Sequence, residues 1–469
     1  MNGVKENLKK GVVWSSIGSL MQYGLQFSGV MALARLLTPT DYGLIGILGI
    51  FIVIAEILMD SGLGGALVRK QNVQEIDYST LTIYNLFVSI FIYLIYFFIS
   101  PLLSNIYNEP ILTPLLRIYA IIIIVHAFAI VPRVIMMKTY RFKEMTIILL
   151  VPSFIALICS IICAWKGCGV YSFVVQYIVE GVLSTLILIY LTHYHIRLKF
   201  SKASFLEQFS FGFNTTLANV LKNINDNIYT NVIAKTASIP QAGYYTQSWK
   251  LSSLPTKIID SIINKSIFPV MSQQFGNKNF ENQLSNLNQK AEIVIVVLFS
   301  MFIPVSRELI IILLGEKWLA AEWTLKILLL TAIFYTLSNI NRNTLKCMAY
   351  TKLILKVETV LFILSVLCLF ISSFIGYKMI VFCCLCIALI KCLVNCIVAD
   401  KQTNVGFMLH MKHLLPYCLL AYIAIIFSSY MSGIENVYAS ALFKCGVYVV
   451  IVVFGLFIFS KLFKININH

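Results

Sequence analysis

Apolar runs of about 20 residues recur along the whole chain, and no polar break between them is longer than about 20 residues. A helix rises about 1.5 Å per residue, so a run of that length crosses about 30 Å of hydrocarbon. Inside hydrocarbon the backbone must satisfy its own N–H and C=O groups, which leaves only helices and closed barrels. The strict alternation of a barrel strand is absent, and runs such as Ile121–Val125 and Val447–Phe459 are almost continuously apolar. The expectation is an all-α integral membrane protein. Composition agrees: 59% of the 469 residues are hydrophobic and 12% charged, against about half and about a quarter in soluble domains.

Segmentation predicts about 14 transmembrane helices, from 11–35 and 43–66 at the start, through a ninth at 291–314, to 413–431 and 438–460 at the end. Gly11–Leu37 is too long for the apolar core of a secretory leader and has no small-residue cleavage site, so it reads as a retained first span. Basic residues fall in alternate breaks: Lys9 and Lys10, Arg69 and Lys70, Arg133 to Lys143, Arg197 to Lys202, and Lys461 with Lys464. Ser104–Thr113 and Met431–Ser440 contain none. By the positive-inside rule both termini are expected in the cytoplasm. The net charge of +16 is thereby accounted for by topology, and nucleic acid is not an expected partner.

The 12 cysteines lie mostly in apolar runs and show no metal-ligand spacing, so neither a metal nor a cofactor is expected. No nucleophile elbow, zinc-hydrolase helix or phosphate-cradling loop is present, which points away from an enzyme and from direct nucleotide drive.

A faint internal repeat runs through the sequence. Ala34-Arg35-Leu-Leu-Thr38-Pro39, closing with Gly43, is echoed 200 residues on by Ala234-Lys235-Thr-Ala-Ser238-Ile-Pro240, closing with Gly243. The repeat predicts a six-helix bundle over 1–196, an interfacial linker at 197–211 and a second six-helix bundle over 212–401. Two additional helices at 402–469 complete the expected arrangement. In the linker, Phe205 and Phe209 share one face and basic residues the other, as in a helix lying at the membrane surface.

Charged side chains inside spans are costly and either face a hydrated cavity or pair with a neighbour. Span seven places Asn219, Lys222, Asp226 and Thr230 on one face, and span eight does the same with Lys250, Lys257 and Asp260. Span one presents Gln22 and Gln26; span two holds Glu56 and Asp60, one turn apart. The expected architecture is two bundles around a polar cavity. Lys222, Lys250 and Lys257, with Asn219, Gln22 and Gln26, are its candidate substrate ligands. Asp226, Asp260, Glu56 and Asp60 are the candidates for ion coupling. The competing reading of every one of them is structural, as bonds joining helices or ion pairs at a boundary. Arg307, Glu308, Arg342 and Lys391 divide between the two readings, and His126, His193 and His195 read as interfacial.

Several motifs together resemble a known family. They are Gly11-Val-Val-Trp14, Ala34-Arg35-Leu-Leu-Thr38-Pro39-Thr-Asp41-Tyr42-Gly43, and Asp60-Ser-Gly62-Leu-Gly64-Gly-Ala66-Leu-Val-Arg69. Phe211-Gly212, Gly243-Tyr244-Tyr245 and Phe268-Pro269 continue the resemblance to about residue 320. The chain is similar to Wzx-type polysaccharide exporters of the multidrug/oligosaccharidyl-lipid/polysaccharide superfamily, in the branch of the colanic acid exporters. That resemblance implies two six-helix bundles plus two helices. It also implies flipping of a polyprenyl-diphosphate-linked oligosaccharide across the membrane by alternating access, beside glycosyltransferases and a polysaccharide polymerase. Arg35, Pro39, Asp41, Gly43, Gly62 and Gly64 would then be structural motif residues. A multidrug or cation antiporter of the same superfamily would need a dominantly acidic cavity, which the lysines disfavour. A membrane polymerase or ligase would need a large outward loop, for which no break leaves room.

Overall fold

The computed structural model describes residues 2–60, 63–195, 199–263, 280–348, 350–403, 407–430 and 436–463. Among these there is no β-strand, and nine helices are long and apolar enough to cross a membrane. The protein is a multi-pass α-helical membrane protein. Helices α9 (Lys202–Thr236) and α10 (Ile239–Ile262) are 35 and 24 residues long yet fall outside the nine, as expected of sequences this polar.

The chain forms two compact units, Met1–Gly243 and Tyr244–His469. The first contains α1 (Asn2–Leu36), α2 (Pro39–Asp60), the short α3 (Leu63–Arg69), α4 (Glu75–Tyr107), α5 (Leu112–Tyr119), α6 (Ile121–Lys138), α7 (Phe142–Trp165), α8 (Tyr171–Thr192) and α9. Helix α10 begins at its end. The second unit continues with α11 (Phe280–Ser300), α12 (Ser306–Leu313), a 3-10 turn at Glu316–Ala321, α13 (Glu322–Cys347), α14 (Thr351–Ser373), α15 (Tyr377–Thr403), α16 (Phe407–Tyr430) and α17 (Val437–Phe463). The stretch expected as one span at 291–314 is therefore two helices joined through a turn at 301–305. Pro304 lies in that turn; it lacks an N–H and restricts the residue before it.

Each unit packs apolar side chains inward and leaves others outside. Leu63, Leu67, Leu81, Val131 and Val134 form one core cluster of the first unit. Ile295, Phe299, Leu337 and Ile340 anchor a larger one in the second. Phe87, Phe91 and Phe98 of α4 leave their rings exposed, which is unfavourable in water and neutral in lipid.

The repeated motif has a clear local cause. Thr38 is the N-cap of α2: its hydroxyl accepts from the Asp41 N–H at 3.3 Å, while Asp41 Oδ2 accepts from the Thr38 N–H at 2.9 Å. Two orphan amides are satisfied reciprocally, and Pro39 occupies the first helical position, where no N–H is needed. Two hundred residues on, Ser238 caps α10 by accepting from the Gln241 N–H at 3.3 Å. The two helix starts then pack backbone to backbone. A Cβ built on Gly43 would lie 2.1 Å from the Ile239 carbonyl oxygen, and one on Gly243 would lie 1.8 Å from that of Pro39. Each glycine meets the repeat mate of the residue that meets the other, so the contact is a local two-fold. Lys235, the mate of Arg35, donates to the Ile106 carbonyl at 2.6 Å. Arg35 itself is exposed in the last turn of α1, where a cation suits the helix dipole.

The amphipathic stretch after residue 199 is not a separate helix. From Lys202 onward it is the opening of α9, capped by Ser201, whose side chain accepts from the Ser204 N–H at 3.4 Å. Its polar face is tied down within the first unit: Ser204 Oγ donates to the buried Asp77 at 2.5 Å. Ser79 Oγ both donates to and accepts from the Lys199 backbone, at 2.6 and 2.8 Å. Lys70 bridges Glu207 at 2.9 Å and Asp77 at 3.2 Å. The Glu207 carboxylate, with Asp77 behind it, holds the Lys70 ammonium above its ordinary pKa despite partial burial.

Candidate functional site

Five helices of the first unit bring a set of polar side chains together at mid-span. Glu56 comes from α2, His126 from α6, Glu180 from α8, Ser153 from α7 and Gln22 from α1. His126 Nδ1 lies 3.0 Å from Glu56 Oε1, with the histidine 28% and the glutamate 44% exposed. Gly181 makes room for this pair: a Cβ there would sit 2.9 Å from His126 Nε2 and 2.1 Å from Ile122 Cδ1. Tyr119 and Tyr177, edge to face with centroids 5.2 Å apart, lie near both carboxylates.

A shared serine hydroxyl holds the second half of the cluster together. Gln22 Nε2 donates to Ser153 Oγ at 3.2 Å, and that hydroxyl is 2.5 Å from Glu180 Oε1 and 2.7 Å from the Leu149 carbonyl. A serine hydroxyl has one proton and two lone pairs. Ser153 Oγ accepts from Gln22 and directs its one proton toward the Glu180 carboxyl and the Leu149 carbonyl, so a single hydroxyl links α1, α7 and α8.

Sequence reading had placed Glu56 and Gln22 among the candidates and missed their partners. Glu180 is a lone charge in an apolar run and joins no polar stripe, and His126 was assigned to the interface. The structure places His126 against Glu56 instead, because α6 packs between α2 and α8. Gln26 is exposed on α1. The side chains of Asp60, Asn219, Lys222 and Asp226, and Gly62 altogether, lie outside the described residues. Gly64 is buried in α3.

In the second unit, Lys250 is half-buried on α10 and Lys257, two turns on, is exposed. They are close enough for their charges to repel. Asp260 Oδ2 accepts from Asn339 Nδ2 of α13 at 3.0 Å, and one turn earlier Thr336 donates to Thr256 at 3.1 Å. Helix α13 supplies further polar contacts on both sides: Ser338 accepts from Asn395 of α15, and Thr344 from Asn288 of α11, each at 2.8 Å. This polar row on α13 was not singled out from the sequence, although Asn339, Asn341 and Asn343 are visible there. Glu308 and Arg342, ambiguous in sequence, are both in ion pairs, with Lys444 at 2.6 Å and Glu358 at 3.4 Å.

Comparison with known proteins decides the family. The pattern described as "Polysaccharide biosynthesis protein" matches residues 32–323, more than half of the chain. The chain belongs to this family. Among its relatives, a membrane protein of the cps region of Klebsiella pneumoniae is 25% identical over 78% of this chain and 76% of its own length. The lipopolysaccharide biosynthesis protein WzxC of Escherichia coli is 24% identical over 72% and 69%. The teichuronic acid biosynthesis protein TuaB of Bacillus subtilis is 22% identical over 74% and 72%. The fold is that of the lipid II flippase MurJ in an inward closed conformation, with a TM-score of 0.78 over 96% of this chain and 99% of that one, at 15% identity. An outward-facing multidrug transporter of the MATE family aligns less closely, with a TM-score of 0.52 over 84% of this chain and 96% of that one, at 14% identity. The resemblance of the motif block from Ala34 to Gly43 thus extends to the family and to the fold.

Proposed function

We propose that this chain flips a polyprenyl-diphosphate-linked oligosaccharide from the cytoplasmic to the outer leaflet of a bacterial inner membrane, by alternating access between two six-helix halves. Glycosyltransferases would supply the lipid-linked unit and a polymerase would consume it. Both termini face the cytoplasm in this scheme. The observation that carries the reading is the Lys250–Lys257 pair. Both cations lie on one stripe of a polar membrane helix, and a diphosphate offers charge-assisted contacts to both. Seven residues on a helix separate them by about 10 Å along its axis. Lys222 belongs to the same proposed set, with Asn219, Gln22 and Gln26 as sugar or water contacts. Lys250→Gln and Lys257→Gln should each lower surface polysaccharide several-fold at near-normal protein levels, and Arg at either position should retain more activity. Wild-type export from both Gln variants would place the diphosphate elsewhere.

Coupling to an ion gradient is assigned to carboxylates, with Asp226, Asp260 and Asp60 as candidates and Glu56 as the foremost. The Glu56–His126 pair supports this choice, because it sets a carboxyl and an imidazole, two side chains able to carry a proton, 3.0 Å apart between α2 and α6. In reconstituted vesicles Glu56→Gln should leave flipping indifferent to an imposed pH gradient. A gradient dependence equal to wild type would exclude Glu56 from coupling.

A further inference from the structure

The turn between α7 and α8 holds two cysteines in a geometry that no part of the transport reading uses. Helix α7 ends at Trp165, Lys166 is its C-cap and Gly167 follows at φ +82°. The Gly167 N–H donates to the Ala164 carbonyl at 3.0 Å, and the Cys168 N–H to the Cys163 carbonyl at 3.1 Å. These are the two bonds of the Schellman motif, in which the side chain two residues past the cap folds back onto the third residue from the helix end. Apolar residues ordinarily make that contact. Here both positions are cysteine.

The loop holds Cys168 from both sides. Its carbonyl accepts from the Tyr171 N–H at 3.2 Å. Gly169, at φ +57°, lies against the capping carboxylate of α2: a Cβ there would be 3.1 Å from Asp41 Oδ1. Cys168 is exposed and Cys163 half-buried, and the other described cysteines all lie within helices. The alternation of basic breaks that puts both termini in the cytoplasm puts this turn on the opposite, extracytoplasmic face, where disulfides persist.

We propose that Cys163 and Cys168 are an oxidisable thiol pair that closes to a disulfide on the outer face of the membrane, stapling the end of α7 to the loop packed on Asp41. The oxidant is a disulfide-bearing thiol oxidoreductase of that compartment. The exposed Cys168 thiolate attacks the donor disulfide, releasing one donor sulfur as a thiol and leaving a mixed disulfide. The Cys163 thiolate then attacks Cys168 Sγ and releases the second donor sulfur. Two electrons pass to the donor, and both cysteine protons end on its two thiols. The bond from the Cys168 N–H to the Cys163 carbonyl already holds the two backbones together at the helix end, as a disulfide between them requires.

Trypsin cuts after Lys166, between the two cysteines, which makes the bond directly readable. Intact cells are treated with diamide, blocked with a membrane-impermeant maleimide, and the full-length protein is purified and digested without reductant. The expected product is the peptide ending at Lys166 joined to the one starting at Gly167, two hydrogens lighter than their sum, and lost after dithiothreitol. Without oxidant, and after reduction of the cells, Cys168 should take the impermeant label. Cys168→Ser should abolish the joined peptide while leaving protein abundance and export unchanged. Full maleimide labelling of Cys168 after diamide would overturn the proposal, as would a disulfide-linked dimer through Cys168. Failure of the impermeant reagent to reach Cys168 in reduced cells would overturn the outer-face placement. None of these readouts depends on flipping, so their failure is distinguishable from failure of the transport reading.

Discussion

Gly43→Leu should cut the amount of folded protein in the membrane several-fold. The cause is steric and local: a Cβ at this position would lie 2.1 Å from the Ile239 carbonyl oxygen and 2.7 Å from Ile239 Cγ2. A backbone oxygen held in a capped helix start cannot move aside as a flexible side chain could. Overpacking costs about 1–3 kcal/mol, occasionally more, and here the obstruction is backbone. Gly43→Ala should already be measurably destabilising. Gly49, on the same helix, meets nothing within 4 Å, so Gly49→Ala is the matched control. It should be neutral or stabilising by about 1 kcal/mol through helix propensity. Quantitative blotting of membranes and detergent melting curves read both. Normal abundance of Gly43→Leu with lost export would refute the structural assignment and give Gly43 a role in handling substrate.

Lys444→Met should destabilise the second unit by about 3–5 kcal/mol, the usual cost of stranding one partner of a buried ion pair. Glu308 Oε1 accepts from Lys444 Nζ at 2.6 Å and from Ser440 Oγ at 2.8 Å. The two charged side chains are only 7% and 10% exposed. Removing the lysine leaves the carboxylate with a single neutral donor. The double variant Glu308→Gln, Lys444→Met removes the stranded charge and should regain part of the loss, giving a coupling energy of opposite sign to the single effects. Thermal melting of the four proteins measures it. An additive double variant would mean that the pair contributes nothing beyond its separate side chains.

These two positions show how far sequence alone reaches. Gly43 was legible because the block from Ala34 to Gly43 carries its own physics: a threonine cap, a proline at the first helical position, an aspartate three residues past the cap, and an echo 200 residues later. Local hydrogen bonding dictates such a turn whatever surrounds it. Helical class was legible for the same kind of reason, since lipid accepts no unpaired backbone and the apolar runs have the length of a bilayer. The absence of α9 and α10 from the apolar set was also foreseeable from their polar residues.

What the sequence could not supply was the partner of each charge. Glu308 and Lys444 are 136 residues apart, and Glu56 and His126 sit on helices whose adjacency no periodicity encodes. His126 looked interfacial because hydropathy reports depth along a helix and says nothing about which helix lies alongside. Glu180 was invisible as a single charge and became meaningful only when Ser153 and Gln22 were found against it. The sequence determined the solvent of this protein, its helices and its capped turns, because those depend on interactions within a few residues. Tertiary packing decided which buried charges are paired, which polar groups meet across helices and which glycines touch backbone, because those depend on distances between helices far apart in the chain.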